Sequence, residues 1–360
     1  MANTVVVVGG ANIDIVAAPN EPLKEHDSNP GHSTISFGGV GRNIAENLSK
    51  LGCNVIFVSV FGDDSFSHTL IRDLENKGIN TSLCKTIRGQ SCSKYICINS
   101  DKGELIAAIN DMSLYDHMYA AITDEAIKAM NEADLVVLDA NTSQELLEKI
   151  ASVCTSPIAF DAVSISKIAR CSTILDRLFI FKPNLYEAEA LYEALSGPEA
   201  ALSAQRNNSY GLEYPLPGQE DTFPTQKDTL TGPEEPFSIQ KCSFTEHESD
   251  DRLTVRKYAS FLRNKGVKNV MISLGKDGVY YENENCSGII PSMVRKIANT
   301  SGCGDAFLAG AVKGYLNGGD IKAMARYGSA AAAICAAHDE TVTSGLSPDA
   351  VGKILADVTP

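Results

Sequence analysis

Runs of β-branched and other apolar residues recur along the chain at Val5–Val8, Val55–Val60, Leu135–Leu138, Ile158–Phe160, Leu178–Phe181 and Val270–Leu274. Most are separated by stretches whose apolar positions repeat every three to four residues: Gly41–Gly52, Ser65–Gly78, Thr123–Ala133, Ser143–Cys154, Glu187–Leu195 and Thr254–Gly266. Continuously apolar strands alternating with amphipathic helices predict an α/β fold, a doubly wound, mostly parallel sheet flanked by helices on both faces. Two stretches break the rhythm. Ser33–Phe37 and Ser91–Asn110 read as strands without intervening helices, the second turning back around Ser100-Asp101-Lys102-Gly103. They predict a small β-sheet lid, drawn from about residues 15–40 and 86–115, over the carboxyl ends of the main sheet. From about Ser196 to Asp250 the period dissolves into Pro, Gly, Ser, Thr, Asn, Gln and Glu. A connection of roughly fifty residues far exceeds ordinary loop length, so 196–250 is expected to be a disordered insertion in a single domain spanning 1–360.

Composition narrows the classes. A formal net charge of −14 disfavours nucleic-acid binding through counterion release. No apolar run approaches the roughly 20 residues of a membrane span. The start, Met1-Ala2-Asn3-Thr4, has no basic segment and runs directly into a strand, so a cytoplasmic protein is expected. Ten cysteines without a CxxC pair fit neither zinc spacing nor a disulfide framework.

The chemistry concentrates in five places. Asn299-Thr300-Ser301-Gly302-Cys303-Gly304-Asp305 precedes an amphipathic helix carrying Phe307, Ala311 and Tyr315 on one stripe. Its backbone N–H groups and the free N–H groups of the helix can converge on an anion, with Asp305 beside them. Read alone, it is equally a Gly turn in which Asp305 caps the helix. Gly38-Gly39-Val40-Gly41-Arg42-Asn43 also opens a helix, and Asn43 can offer a donor and an acceptor to hydroxyls. Asp14, shortly after the first strand, can accept from two vicinal hydroxyls or form a turn. Asn184 and Glu187, three apart after Lys182-Pro183, suit a hydrated Mg²⁺, and equally a helix cap with its reciprocal Glu. Ser273-Leu274-Gly275-Lys276-Asp277-Gly278 reads as a strand and a Gly turn.

In order and spacing these motifs resemble the ribokinase-like (PfkB-type) carbohydrate kinase family along nearly the whole chain outside the insertion. The matching residues are Gly38, Gly39 and Asn43; Asn184 and Glu187; and Gly302, Gly304 and Asp305. Within that family the chain is most similar to members that phosphorylate pseudouridine. This rests on Ala11–Asp14, Asp27–Gly31, Gly39–Asn43, Ala108–Met112, Asp161–Ser164 with Lys167, and Lys182–Asn184. The resemblance implies ATP- and Mg²⁺-dependent transfer to the 5′-hydroxyl of pseudouridine. The alternatives are another nucleoside or a sugar (adenosine, ribose, fructose) as acceptor, or an inactive ligand-sensing homologue.

It also implies roles. Asp305 would be the general base, with Gly302, Cys303 and Gly304 in the anion hole. Asp14, Gly38, Gly39 and Asn43 would hold the ribose, and Asn12, Ser28, Ser93, Asn110 and Lys167 the rest of the nucleoside. Asn184, Ser273, Gly275, Gly278 and Thr300 would lie on the ATP side, the segment 330–338 against the adenine, and Glu187 would organise magnesium. Asn299 stands where many relatives place an Asp that helps hold a monovalent cation, which leaves K⁺ dependence open. Exposed lid edges suggest a homodimer through the lid.

Overall fold

In this computed structural model, residues 3–197 and 248–357 are described, and the predicted alternation becomes an eight-stranded sheet with helices on both faces. The strands in chain order are β1 (Thr4–Val8), β2 (Asn12–Pro19), β3 (Gly31–Gly38), β4 (Asn54–Val58), β5 (Val60–Phe61), β6 (Lys85–Thr86) and β7 (Lys94–Asn99). They continue with β8 (Leu105–Asp111), β9 (Leu135–Asp139), β10 (Ile158–Asp161), β11 (Leu178–Lys182), β12 (Asn269–Ser273), β13 (Val279–Glu282) and β14 (Ser287–Ile290). The helices are α1 (Val40–Lys50), α2 (Ser65–Asn76), α3 (Asp124–Glu132), α4 (Gln144–Val153) and α5 (Leu185–Ser196). After the insertion come α6 (Glu248–Asn264), α7 (Cys303–Leu316), α8 (Ile321–Ala336) and α9 (Pro348–Asp357).

The large sheet has the order β14-β13-β12-β11-β10-β9-β1-β4. The run from β4 to β12 is parallel throughout; β13 is antiparallel to both its neighbours. Each of the six predicted apolar runs falls on one of the six parallel strands; the run Val55–Val60 lies on β4 and continues into β5, which pairs only with β6. Burial on both faces explains why they look uniformly apolar. Val5 and Val7 enter one core, beneath α1, α7 and α8, while Val6 and Val8 enter the other, beneath α3 to α6. Phe57, Phe160 and Phe181 are fully buried, each contributing about 1.5–3 kcal/mol of transfer free energy. Helix starts follow local chemistry: Asp64, Thr123, Ser143 and Asp320 each accept a backbone N–H of the first turn of α2, α3, α4 and α8.

A second sheet, of order β3-β2-β7-β8, forms the small lobe. Here the chain departs from expectation: Asp14 is not a loop residue after β1 but the third residue of a strand, β2. Only Gly9, Gly10 and Ala11 separate β1 from β2, too short a gap to show in the hydrophobic pattern. One row across this sheet is Ile35, Ile15, Ile96 and Ile109. Its outer members are 58% and 63% exposed. The opposite face carries the row Ser36, Asp14, Tyr95 and Asn110. The edges of the expected insertion are helical, since Ser196 ends α5 and Glu248–Asp250 begin α6; its remainder lies outside the described residues. No described helix is long and apolar enough to cross a membrane.

Candidate active site

Parallel strands deliver their last residues to one edge of the sheet, and there the polar groups gather. Asp139 ends β9, Asp161 ends β10, Lys182 ends β11 and Ser273 ends β12. The N-terminus of α7 reaches the same edge. Its N-cap is Gly302, at φ +78°, where a Cβ would run into the Thr341 carbonyl oxygen. No side chain caps this helix, so Asp305 is not the cap that the turn alone would allow. Among the described residues, no acceptor is paired with the Gly304 and Asp305 N–H groups. Gly304 is exposed, so this donor cup opens outward.

Asp305 is buried, and its Oδ2 accepts from Asn43 Nδ2 at 2.8 Å. Asn43 stands on the first turn of α1, after Gly39 at φ +98°, where a Cβ would come within 2.5 Å of the Gly10 carbonyl oxygen. Burial, then repulsion from Asp161, pushes the Asp305 carboxyl up to about 7, against the Asn43 hydrogen bond and Lys182; Asp139 adds to the rise. A helix N-terminus alone would lower it. Desolvation among carboxylates wins, and Asp305 is poised to exchange a proton near neutrality.

Lys182 lies among these acids, its Nζ 3.0 Å from Asp161 Oδ2 and 2.9 Å from where a Cβ on Gly304 would stand. Burial alone would lower its pKa, but Asp161, Glu187 and Asp305 hold it above the ordinary lysine value. It is therefore a cation directly beneath the donor cup. Asp139 serves the chain itself, accepting the Gly10 N–H at 2.9 Å and the Asn141 N–H at 2.8 Å.

Asn184 and Glu187 form a reciprocal cap on α5: Glu187 N–H donates to Asn184 Oδ1, and Asn184 N–H to Glu187 Oε2, each at 2.8 Å. Burial raises the Glu187 carboxyl, with Lys182 opposing. Oε1 is left over, which fits a hydrated Mg²⁺ that carries its own waters. Ser273 N–H bonds the Pro183 carbonyl at 3.0 Å, and the 3₁₀ turn Gly275–Asp277 follows, closed by Leu274 N–H on the Gly278 carbonyl. Asn184 and Ser273 are bridged, Gly275 and Gly278 belong to the turn that follows Ser273, and Thr300 is exposed just ahead of α7.

On the other side, Asp14 rests against Gly38, and Asn12 Nδ2 donates to Asp14 Oδ1 at 2.5 Å. Asn110 shares a sheet face with Asp14 and is exposed. Ser28 lies in the exposed loop between β2 and β3, and Lys167 Nζ donates to Asn141 Oδ1 at 2.8 Å. Ser93 is buried, and neither its hydroxyl nor the buried Tyr115 phenol has a hydrogen-bond partner among the described residues.

The Cys303 thiol donates to the Asn299 carbonyl at 3.8 Å and the Cys335 thiol to the Thr341 carbonyl at 3.4 Å; the neighbouring Cys335 thiol lowers Cys303, against burial and Asp305. Asn299 uses Oδ1 for the Ser301 N–H and Nδ2 for the Asp339 carbonyl at 3.0 Å. With both ends of its amide bonded to backbone, the Asn299 side chain is neutral and brings no negative charge to this turn. Lys182, Asp161 and Arg42 were passed over as site residues in the sequence; the first two carried one usable signal, their place at strand carboxyl ends.

The family model for pfkB family carbohydrate kinases matches residues 2–210 and 241–348. Pseudouridine kinase of Escherichia coli is 28% identical over 345 residues, covering 95% of this chain and 93% of its own. Ribokinase of Haemophilus influenzae is 26% identical over 338 residues, covering 93% and 92%. Among solved structures, Arabidopsis thaliana ribokinase complexed with ribose and ATP superposes with a TM-score of 0.74 at 18% identity, covering 99% of each chain.

Proposed function

The chain belongs to the pfkB family of carbohydrate kinases, a phosphotransferase family with alcohol acceptors, and on that premise we propose that it transfers the γ-phosphoryl group of ATP to the 5′-hydroxyl of pseudouridine. The observation that carries the transfer chemistry is Asp305: a buried carboxylate beside an uncapped helix N-terminus that opens to solvent. The choice of nucleoside rests on the similarity to the E. coli pseudouridine kinase across 95% of the chain.

In this reading the acceptor hydroxyl meets Asp305, which takes its proton as the phosphorus–oxygen bond forms. The Gly304 and Asp305 N–H groups receive the charge on the transferring phosphoryl oxygens, and Lys182 beneath them adds a fixed positive field. Asp14, aligned by Asn12, holds the ribose hydroxyls, and Asn110 with Lys167 and Asn141 faces the base. Ser28 is placed to close over it from the β2–β3 loop, while Ser93 supports the strand from behind. Ser273, Gly275 and Gly278 flank the nucleotide, with the carboxyl end of α8 near the adenine. Glu187 Oε1 would hold magnesium through water, and the bound ion would supply positive charge to the phosphates. The lobe of β2, β3, β7 and β8 acts as a lid that excludes water as a competing acceptor, and the exposed isoleucine row pairs two lids in a homodimer.

The test is coupled ADP release with pseudouridine, uridine, adenosine, ribose and fructose offered separately. Pseudouridine is expected to give the highest kcat/KM. A preference for ribose, supported by the 26% identical ribokinase, would keep the kinase and replace its substrate. ATP-analogue binding without turnover on any acceptor would favour the inactive sensor.

A further inference from the structure

Arg42 is 4% exposed, an expensive place for a guanidinium unless it is paired; both terminal nitrogens are bonded, while Nε has no partner among the described residues. It is anchored from behind by charge. One terminal nitrogen, Nη2, pairs with Glu46 and reaches Asp73 Oδ2 at 3.4 Å. Glu46 is in turn bonded by Lys50 at 2.9 Å and Lys77 at 2.8 Å, and Lys77 also holds Asp73 at 2.7 Å. Burial would raise the Glu46 carboxyl, but Arg42, Lys77 and Lys50 outweigh it and keep it ionised. The network leaves the guanidinium little freedom to swing.

What Arg42 presents forward is Nη1. It donates to the Phe37 carbonyl at 3.2 Å and to Asn43 Oδ1 at 3.0 Å. A guanidinium has donors only, so Asn43 must turn its oxygen toward Arg42. The same amide then has only its nitrogen to offer Asp305, the contact seen at 2.8 Å. Flipped by half a turn, the amide would set N–H against N–H on one side and oxygen against carboxylate on the other. Phe37 is the penultimate residue of β3, where the small lobe runs into Gly38 and Gly39. One nitrogen therefore joins the root of that lobe to the amide on Asp305.

We propose that Arg42 is a positioning residue: it fixes the Asn43 amide so that Nδ2 meets Asp305, and it ties that geometry to the root of strand β3. Lysine cannot replace it, because one ammonium cannot span Phe37, Asn43, Glu46 and Asp73 together. The inference rests on Asp305 being the base.

The experiment is a double-mutant cycle in the full chain, with ATP and pseudouridine, or the best acceptor of the panel. Arg42→Met and Asn43→Ala should each lower kcat about 10- to 100-fold, the usual cost of a misplaced catalytic group, with KM for ATP nearly unchanged. The combined variant should be no slower than Asn43→Ala alone, because Arg42 acts through that amide. Arg42→Lys, which keeps a cation against Glu46 and Asp73, should melt near the wild type yet remain slow; it replaces Arg42→Met in the cycle if the latter is too unstable to assay. Additive losses, full activity in Arg42→Lys, or a folded Arg42→Met with normal kcat would overturn the proposal. A fully active Asp305→Asn would instead remove the base on which it stands.

Discussion

Replacing Asp305 with Asn should cripple turnover and at the same time make the folded chain more stable, increasingly so as pH rises. The carboxyl is moved from 3.8 to about 7, with burial the largest cause. Its folded-state pKa is raised, so the chain keeps its full stability below pH 4 and loses it as pH climbs through 7. Over that window the ionised group costs on the order of 4 kcal/mol, at 1.36 kcal/mol per pH unit. The introduced amide would keep an oxygen for Asn43 Nδ2 and leave Lys182 paired with Asp161, while removing the buried charge. With an unfolding entropy near 2.1 cal/mol/K per residue, the variant should melt about 2 °C above wild type at pH 5 and about 5 °C above it at pH 8. Scanning fluorimetry across that range reads the difference directly. In parallel, kcat should fall by about 10²- to 10⁴-fold, and wild-type kcat should decline below pH 7 as the base is protonated. A variant that melts lower at pH 8, or by the same margin at every pH, would refute the account of a desolvated carboxylate. Near-normal turnover would refute its role as base.

Glu187→Gln should raise the Mg²⁺ concentration at half-maximal rate by about 10-fold or more, checked by metal titration at fixed ATP; an unchanged curve would confine Glu187 to its helix cap. Exchanging K⁺ for choline should leave the rate unchanged, because Asn299 spends its amide on Asp339 and Ser301; a collapse in choline would contradict this. Ile35→Glu with Ile109→Glu should convert a dimer to a monomer by light scattering, without loss of secondary structure by circular dichroism. An unchanged mass would place any dimer interface elsewhere.

The main sheet was legible because burial on both faces writes six continuous apolar runs into the chain, and helix starts at Asp64, Ser143 and Asn184 announce themselves through cap chemistry. The small lobe was harder. β2 alternates weakly, Ile-Asp-Ile-Val-Ala-Ala, and follows β1 with no turn longer than a few residues, so its separate identity depends on tertiary pairing with β7. Motif spacing brought out Asp305, Asn43, Asn184 and Glu187, but it could not show that the Asp305 carboxyl would be raised. Helix position argues for the opposite; the reversal comes from burial and from Asp161 and Asp139, which lie more than a hundred residues away in sequence. Arg42 was visible only as a letter in a motif, because its partners on α2 are set by packing.

The small lobe also imposes an order on folding. Its central pair, β2 with β7, is parallel and joins segments separated by α1, β4 and α2. No hairpin can nucleate that contact, and its loop-closure entropy is recovered only once the intervening core has condensed. The lobe is therefore closed by two excursions of the chain whose pairing is non-local and waits on the segments between them. A chain ending before β7 would leave β2 without its parallel neighbour, and β1 without β9, which follows later still.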